Sequence, residues 1–203
     1  MNGPRPAGAL SHRRGAGTIR IIGGEWKRRI LPVVDVEGLR PTPDRVRETL
    51  FNWLTHAFGD LAGLSVLDLF AGTGALGIEA ASRGATKVTL VEGHATVAAG
   101  LRAAVAQLGA TQIEIREGDA MNIGRSLRDA TARFDLVLLD PPFAQRWIDR
   151  ALPLAAELCA PDGFVYVEAE AALDDTAWHG LGLALYREDK AGEVFYHLLR
   201  RNN

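Results

Sequence analysis

Between Ser65 and Glu168 the sequence alternates at short intervals between apolar runs suited to strands and stretches with helical spacing, and few folds accommodate that pattern. Strands are expected at 66–70, 87–92, 112–117, 134–140 and 163–168, with helices at 75–82, 95–108, 120–129 and 147–160. Repeated strand–helix units of this kind build a parallel sheet with helices on both faces. The expected class is therefore α/β and Rossmann-like. After Glu168 the pattern changes to two β-rich runs, 181–188 and 193–200, joined by Asp189-Lys190-Ala191-Gly192, which predicts a terminal antiparallel hairpin.

The segment before Ser65 is organised differently. Residues 1–17 are rich in Gly, Pro, Arg and Ala without periodicity and are expected to form a flexible basic arm. Two β-prone runs between Thr18 and Val34 flank Gly23-Gly24, a pair that supplies the positive φ of a two-residue hairpin turn. Arg40-Pro41-Thr42-Pro43 then stops the extended chain. Thr42 as N-cap and Pro43 as first helical residue start a helix reaching Phe58, with Val46, Leu50, Trp53, Leu54 and Ala57 on its apolar face. The expected division is an arm over 1–17, a hairpin extension over 18–40 and the main domain over 41–203.

Charge follows the same division. The first fifty residues carry ten basic and five acidic groups, a balance of +5, whereas the whole chain of 203 residues is at −2, so the remainder is at −7. A basic edge on an acidic body suits a polyanionic partner, because each neutralised phosphate releases counterions. Arg20, Lys27, Arg28, Arg29 and Arg45 are the expected contacts to it. No apolar run approaches the ~18 residues of a membrane helix, and no secretory signal is readable, so a cytoplasmic protein without a membrane partner is expected. The single cysteine, Cys159, fits a reducing compartment and is expected as filler in a helix. Nothing demands more than a monomer.

The first predicted strand runs into Asp68-Leu69-Phe70-Ala71-Gly72-Thr73-Gly74-Ala75-Leu76-Gly77, which places Gly72, Gly74 and Gly77 in GxGxxG spacing at a strand-to-helix turn. Backbone approaches a ligand closely at such a turn, although the same glycines also serve simply to pack a helix on a sheet. Glu92 ends the second strand at the distance where an acidic side chain reaches ribose hydroxyls. NAD and S-adenosylmethionine (SAM) both fit this much. Asp68, Glu92, Asp119 and Asp140 all fall at predicted carboxyl ends of strands, the edge where open α/β sheets bind ligands. A dinucleotide would bring a pyrophosphate into that negative field. SAM carries no phosphate and is net positive, so the carboxylates attract it. The expected cofactor contacts are Asp68, Phe70, Gly72, Thr73, Gly74, Glu92, Asp119 and Ala120, with Asp119 accepting from the adenine amine.

The fourth strand ends in Asp140-Pro141-Pro142-Phe143. Two prolines fix φ and carry no amide hydrogen, so the turn holds its carbonyls in one orientation. An exocyclic base amine is a poor nucleophile because its lone pair is delocalised into the ring. Acceptors gripping both amine hydrogens, the Asp140 carboxylate and the Pro141 carbonyl, favour the localised pair, and Phe143 is placed to stack on an extruded base. Asp140, Pro141, Pro142 and Phe143 are thus the candidate catalytic residues, and no metal is required.

With these motifs in hand the chain resembles the SAM-dependent class I methyltransferases with a seven-stranded sheet, and specifically the RsmD-like guanine-N2 methyltransferases of bacterial small-subunit (16S) ribosomal RNA. The resemblance runs from about Arg20 over nearly the whole chain. It rests on Arg20-Ile21-Ile22-Gly23-Gly24, Leu39-Arg40-Pro41-Thr42, Asp44-Arg45-Val46-Arg47-Glu48-Thr49-Leu50-Phe51-Asn52-Trp53, the glycine turn, Asp140-Pro141-Pro142-Phe143 and the late Ala191-Gly192. It implies transfer of a methyl group from SAM to guanine N2 of ribosomal RNA within a small-subunit particle, and it places Arg40 and Thr42 near the cofactor mouth or the RNA. The catalytic motif serves adenine N6 equally well. A dehydrogenase shares only the glycine turn, and a non-catalytic RNA-binding assembly module would share the basic edge without transferring a methyl group.

Overall fold

The computed structural model describes residues 17–36, 39, 41–142 and 147–202; most of the expected basic arm, Arg40 and Phe143 lie outside the described residues. The 66–70 run becomes β3, Ser65–Asp68, an interior strand of a seven-stranded sheet. Around it lie β4 (Lys87–Glu92), β5 (Ile113–Glu117), β6 (Phe134–Leu139), β7 (Cys159–Ala169), β8 (Leu183–Ala191) and β9 (Val194–Arg201), in the order β5-β4-β3-β6-β7-β9-β8. The first five strands of that order are parallel, and β9 is antiparallel to both β7 and β8. The inner strands are nearly continuous apolar runs because both faces are covered: Val66, Leu67, Val88, Leu90 and Leu136 to Leu139 are all fully buried.

The helices α2 (Ala75–Ser82), α3 (Ala95–Leu108), α4 (Ala120–Asp129) and α5 (Trp147–Leu158) connect the parallel strands. Successive strands β3, β4 and β5 step in one direction and β6 and β7 in the other, so the winding reverses between β3 and β6. The carboxyl ends of strands at such a reversal are where open α/β sheets form a crevice. Asp68 ends β3, and Asp140 follows β6.

Four expectations are corrected. The terminal hairpin turns at Gly192-Glu193, not over 189–192: Gly192 adopts φ 63°, which allows a tight turn, and Lys190 is already paired with Phe195 in the ladder. Cys159 is the first residue of β7, paired with Phe134, and lies outside the helix, which stops at Leu158; burial pushes its thiol up to about 12. The first long helix, α1, spans Asp44–Phe58 with Pro43 as its N-cap and no side-chain cap bond, because the Thr42 hydroxyl faces Asp140 instead.

The fourth correction concerns Gly23-Gly24. The amino-terminal strands β1 (Thr18–Arg20) and β2 (Ile30–Pro32) do pair antiparallel, Arg20 opposite Ile30, but they are joined by the whole segment 21–29 with a helical turn at its far end. Gly24, at φ 76°, is needed for contact rather than for a two-residue turn, since a Cβ there would sit 1.8 Å from the Ser82 carbonyl oxygen. Glu25 N–H donates to that carbonyl at 2.7 Å, and Trp26 N–H donates to Ser82 Oγ at 3.0 Å. The hairpin thus lies along α2, with Ile19 packed on Ala75 at one end and the 24–28 tip beside Ser82 at the other.

Candidate active site

Each side chain at the crevice is delivered by a strand end or by the segment before α1. Asp68 is 1% exposed. Its Oδ2 accepts from Gly77 N–H at 3.1 Å, which ties β3 to the first turn of α2, and its Oδ1 is buried without a partner among the described residues. Burial, with the neighbouring Asp140 and Glu92 charges adding to it, pushes its carboxyl up to about 7. Gly74, at φ 78°, starts α2, and a Cβ there would lie 2.6 Å from Leu101. Gly72 N–H donates to Glu92 Oε2 at 2.9 Å, and His94 N–H donates to Glu92 Oε1 at 2.6 Å, so Glu92 anchors the glycine turn from the neighbouring strand. Thr73 sits in the same turn.

Farther along the edge, Asp119 is the N-cap of α4, its Oδ1 accepting from Asn122 N–H at 2.8 Å, and Ala120 is the first helical residue. Phe70 packs edge-to-face on Trp147, ring centroids 5.4 Å apart, where α5 begins. These residues of the expected cofactor set therefore line one edge, over the ends of β3, β4 and β5.

Asp140 follows β6 directly, with Pro141 buried and Pro142 exposed. Thr42 Oγ1 lies 3.2 Å from Asp140 Oδ2, so the segment before α1 reaches across to the diproline turn. Burial pushes the Asp140 carboxyl up to about 6, against the Thr42 hydrogen bond, which acts to lower it. A fourth carboxylate joins from β7: Glu168 is 3% exposed, and Tyr166 Oη lies 2.9 Å from its Oε1. Burial and then the Asp140 charge push Glu168 up to about 8, while hydrogen bonds from Tyr166 and Thr42 oppose the rise. Glu168 was legible as one more acidic residue at a predicted strand end, and the rule that singled out Asp68, Glu92 and Asp140 applies to it unchanged. Other carboxylates act on both groups, Asp140 and Glu92 on Asp68, and Asp140 and Asp68 on Glu168.

The basic residues divide. Arg20 Nη2 is paired with Asp44 at 2.8 Å beside the start of α1, and exposed Arg45 lies one residue farther along that helix, at the Thr42 side of the crevice. Lys27, Arg28 and Arg29 are exposed on the segment that joins β1 and β2, near the carboxyl end of α2, and the Arg28 and Arg29 backbones bond to Ile21, the residue after Arg20. The eight-residue helix from Ala75 to Ser82 separates Lys27 from the glycine turn by about 10 Å. An open cleft of ≈ 460 Å³ at that end is lined by Gly24, Glu25, residues 81–86 and Gln112, and none of the crevice carboxylates border it.

Two buried charges not expected from the sequence fix the hairpin. Arg47, 1% exposed, donates through Nε to the Thr42 carbonyl at 3.2 Å and through Nη2 to the Arg20 carbonyl at 3.0 Å and Asp44 Oδ1 at 2.5 Å. Glu79, also 1% exposed, accepts from Ile22 N–H at 2.8 Å, Gly23 N–H at 2.7 Å and Arg83 Nε at 2.8 Å, with Arg47 Nη1 at 3.5 Å. Among the described residues no helix is long and apolar enough to cross a membrane.

The arrangement has close parallels among known proteins. The family model described as "Conserved hypothetical protein 95" matches residues 19–200. The chain is 40% identical over 194 residues, 92% of each chain, to ribosomal RNA small subunit methyltransferase D of Escherichia coli (strain K12). It is 39% identical over 186 residues to the protein of the same name from Haemophilus influenzae, covering 90% of this chain and 93% of that one. The solved structure of yhhF from Escherichia coli superposes with a TM-score of 0.76 at 35% identity, covering 92% of this chain and 99% of that one. The structure of SMU.776 complexed with SAH shares the fold, with a TM-score of 0.67 at 15% identity over 84% of this chain and 53% of that one.

Proposed function

The chain belongs to the conserved hypothetical protein 95 family, and from that premise we propose that it is a SAM-dependent methyltransferase acting on guanine N2 of small-subunit ribosomal RNA. The observation that carries this reading is the pairing of a glycine turn with a half-buried Asp140, ahead of a diproline, across the β3–β6 reversal, beside a buried Asp68 on which the Asp140 and Glu92 charges act. An edge this rich in carboxyls suits a positively charged ligand and opposes a pyrophosphate. The relatives named as ribosomal RNA small subunit methyltransferases support the substrate class.

SAM supplies the methyl group on a sulfonium, a good leaving group that needs no metal. Gly72, Thr73 and Gly74 approach the cofactor with backbone, Glu92 steadies that turn, and Asp68 and Asp119 offer carboxylate oxygens along the same edge. At the diproline turn the ionised Asp140 and the Pro141 carbonyl accept from the two hydrogens of the target amine, holding its lone pair toward the methyl carbon. The proton leaves once the nitrogen has become cationic. Phe143 stacks on the extruded base. Arg20 and Arg45 contact RNA phosphates beside the crevice, and Lys27, Arg28 and Arg29 extend that basic edge along the hairpin. The enzyme works in the cytoplasm on RNA within a small-subunit particle.

Incubating the protein with labelled SAM and small-subunit particles from cells lacking it, followed by nucleoside mass spectrometry, tests the reading. N2-methylguanosine is expected, and Asp140→Ala lowers turnover by about 10²–10³-fold while SAM still binds. N6-methyladenosine would move the activity to adenine. RNA retention without methyl transfer would make the chain a binding module.

A further inference from the structure

Glu168 and Tyr166 take no part in the mechanism above, yet both are buried directly behind Asp140. The Thr42 hydroxyl lies 3.2 Å from Asp140 Oδ2, and Glu168 stands beside Asp140 on the neighbouring strand, one residue past the in-register pair Leu139 and Val167, where Thr42 also acts on its carboxyl. A hydroxyl carries one hydrogen and can donate it to one carboxylate. If both carboxyls were ionised, one would face the Thr42 lone pairs with nothing to offer, in a buried setting where that is costly. A proton on one carboxyl removes the conflict, since that carboxyl donates to Thr42 while Thr42 donates to the other.

We propose that Thr42 bridges Asp140 and Glu168 so that the pair holds a single shared proton, and that Glu168, by keeping it, is a positioning residue that leaves Asp140 ionised and correctly turned. This inference rests on the reading of Asp140 as the acceptor for the target amine.

The surroundings support the assignment of the proton to Glu168. From β3 it faces Asp68, from the end of β6 Asp140, from its own strand Tyr166, and from β9 Tyr196, which is opposite it in register. The Tyr196 hydroxyl is taken by Asp189 at 3.0 Å. His197, the next residue on β9, packs against Trp178 in the opposite layer. Asp140 and Asp68 both act to hold the Glu168 proton, and Glu168 is the more deeply buried of the pair, so the shared proton falls to it while Asp140, nearer the opening, stays charged. At low pH Asp140 is lost as an acceptor, and at high pH Thr42 is contested.

Two measurements test this. In protein labelled at Asp and Glu carboxyl carbons, NMR titration of the unligated wild-type chain should show Glu168 protonated and Asp140 ionised at pH 7. The kcat/KM of the wild type should fall on both sides of a maximum. Glu168→Gln, whose amide always donates to Thr42, should lose the alkaline fall whatever its absolute rate, and Thr42→Ser should keep the wild-type profile where Thr42→Val does not. Glu168 ionised at pH 7, or a Glu168→Gln profile that superposes on the wild type, would overturn the proposal. Full activity in Asp140→Asn would instead overturn the role of Asp140, and the titration would still report whether the proton is shared.

Discussion

Two groups of enclosed carboxyls in this protein, Glu79 on the scaffold and three at the crevice, are treated in opposite ways. Glu79, where the hairpin meets α2, is surrounded by donors: two backbone amides, Arg83 and Arg47. Asp68 and Glu168, buried as deeply, and half-buried Asp140 at the carboxyl edge meet hydroxyls, amides and one another, and their carboxyls are pushed up to about 7, 8 and 6. The first group spends its charge on holding two parts of the chain together. The second is held toward the protonated form, which costs stability where its carboxyls ionise and leaves an edge ready for a cation and a base amine. Carboxylate met by cations and amides marks the scaffold here, and carboxyl crowded by carboxyl marks the site.

The largest effect expected from breaking this contrast is at the scaffold. Glu79→Ala strands Arg47 and Arg83 and frees two amides of the hairpin, and should lower stability by about 3–5 kcal/mol in denaturant titration. A loss below about 1 kcal/mol would show that Glu79 is not what holds the hairpin.

At the site the sign reverses. The Glu168 carboxyl is raised in the folded state, so as pH climbs from about 4.5 the unfolded chain releases this proton and the folded chain keeps it until about 8. Stability therefore drains across that window. Glu168→Gln removes the drain, and should stabilise by about 1–3 kcal/mol at pH 8 and by little at pH 4, read from melting curves at the two values. Destabilisation at pH 8 would place Glu168 with Glu79. The smallest effect is at the surface: Arg20→Ala breaks the exposed pair with Asp44 and should cost about 0.2–1 kcal/mol.

The same contrast explains what the sequence discloses. Helices α2, α3 and α4 fall where periodicity places them, and the glycine turn and Asp140 sit at strand ends as spacing requires, because both signals are local. Cys159 and Ala160 read as the end of a helix since nothing local opposes it; the pairing of Cys159 with Phe134, twenty-five residues back, turns them into strand. Glu79 accepts from amides more than fifty residues away, and no spacing rule reveals such a partner. Gly23-Gly24 carries a true glycine signal, but the requirement is contact with α2 rather than a two-residue turn.

Titration calorimetry on the purified chain tests the central claim most directly, since it asks whether the carboxyl-rich edge selects a cationic nucleoside. Saturable one-to-one binding of SAM, retained in Asp140→Ala, with no binding of NADH is the predicted result. No heat with SAM or its demethylated product, or binding of NADH at the same site, would contradict it.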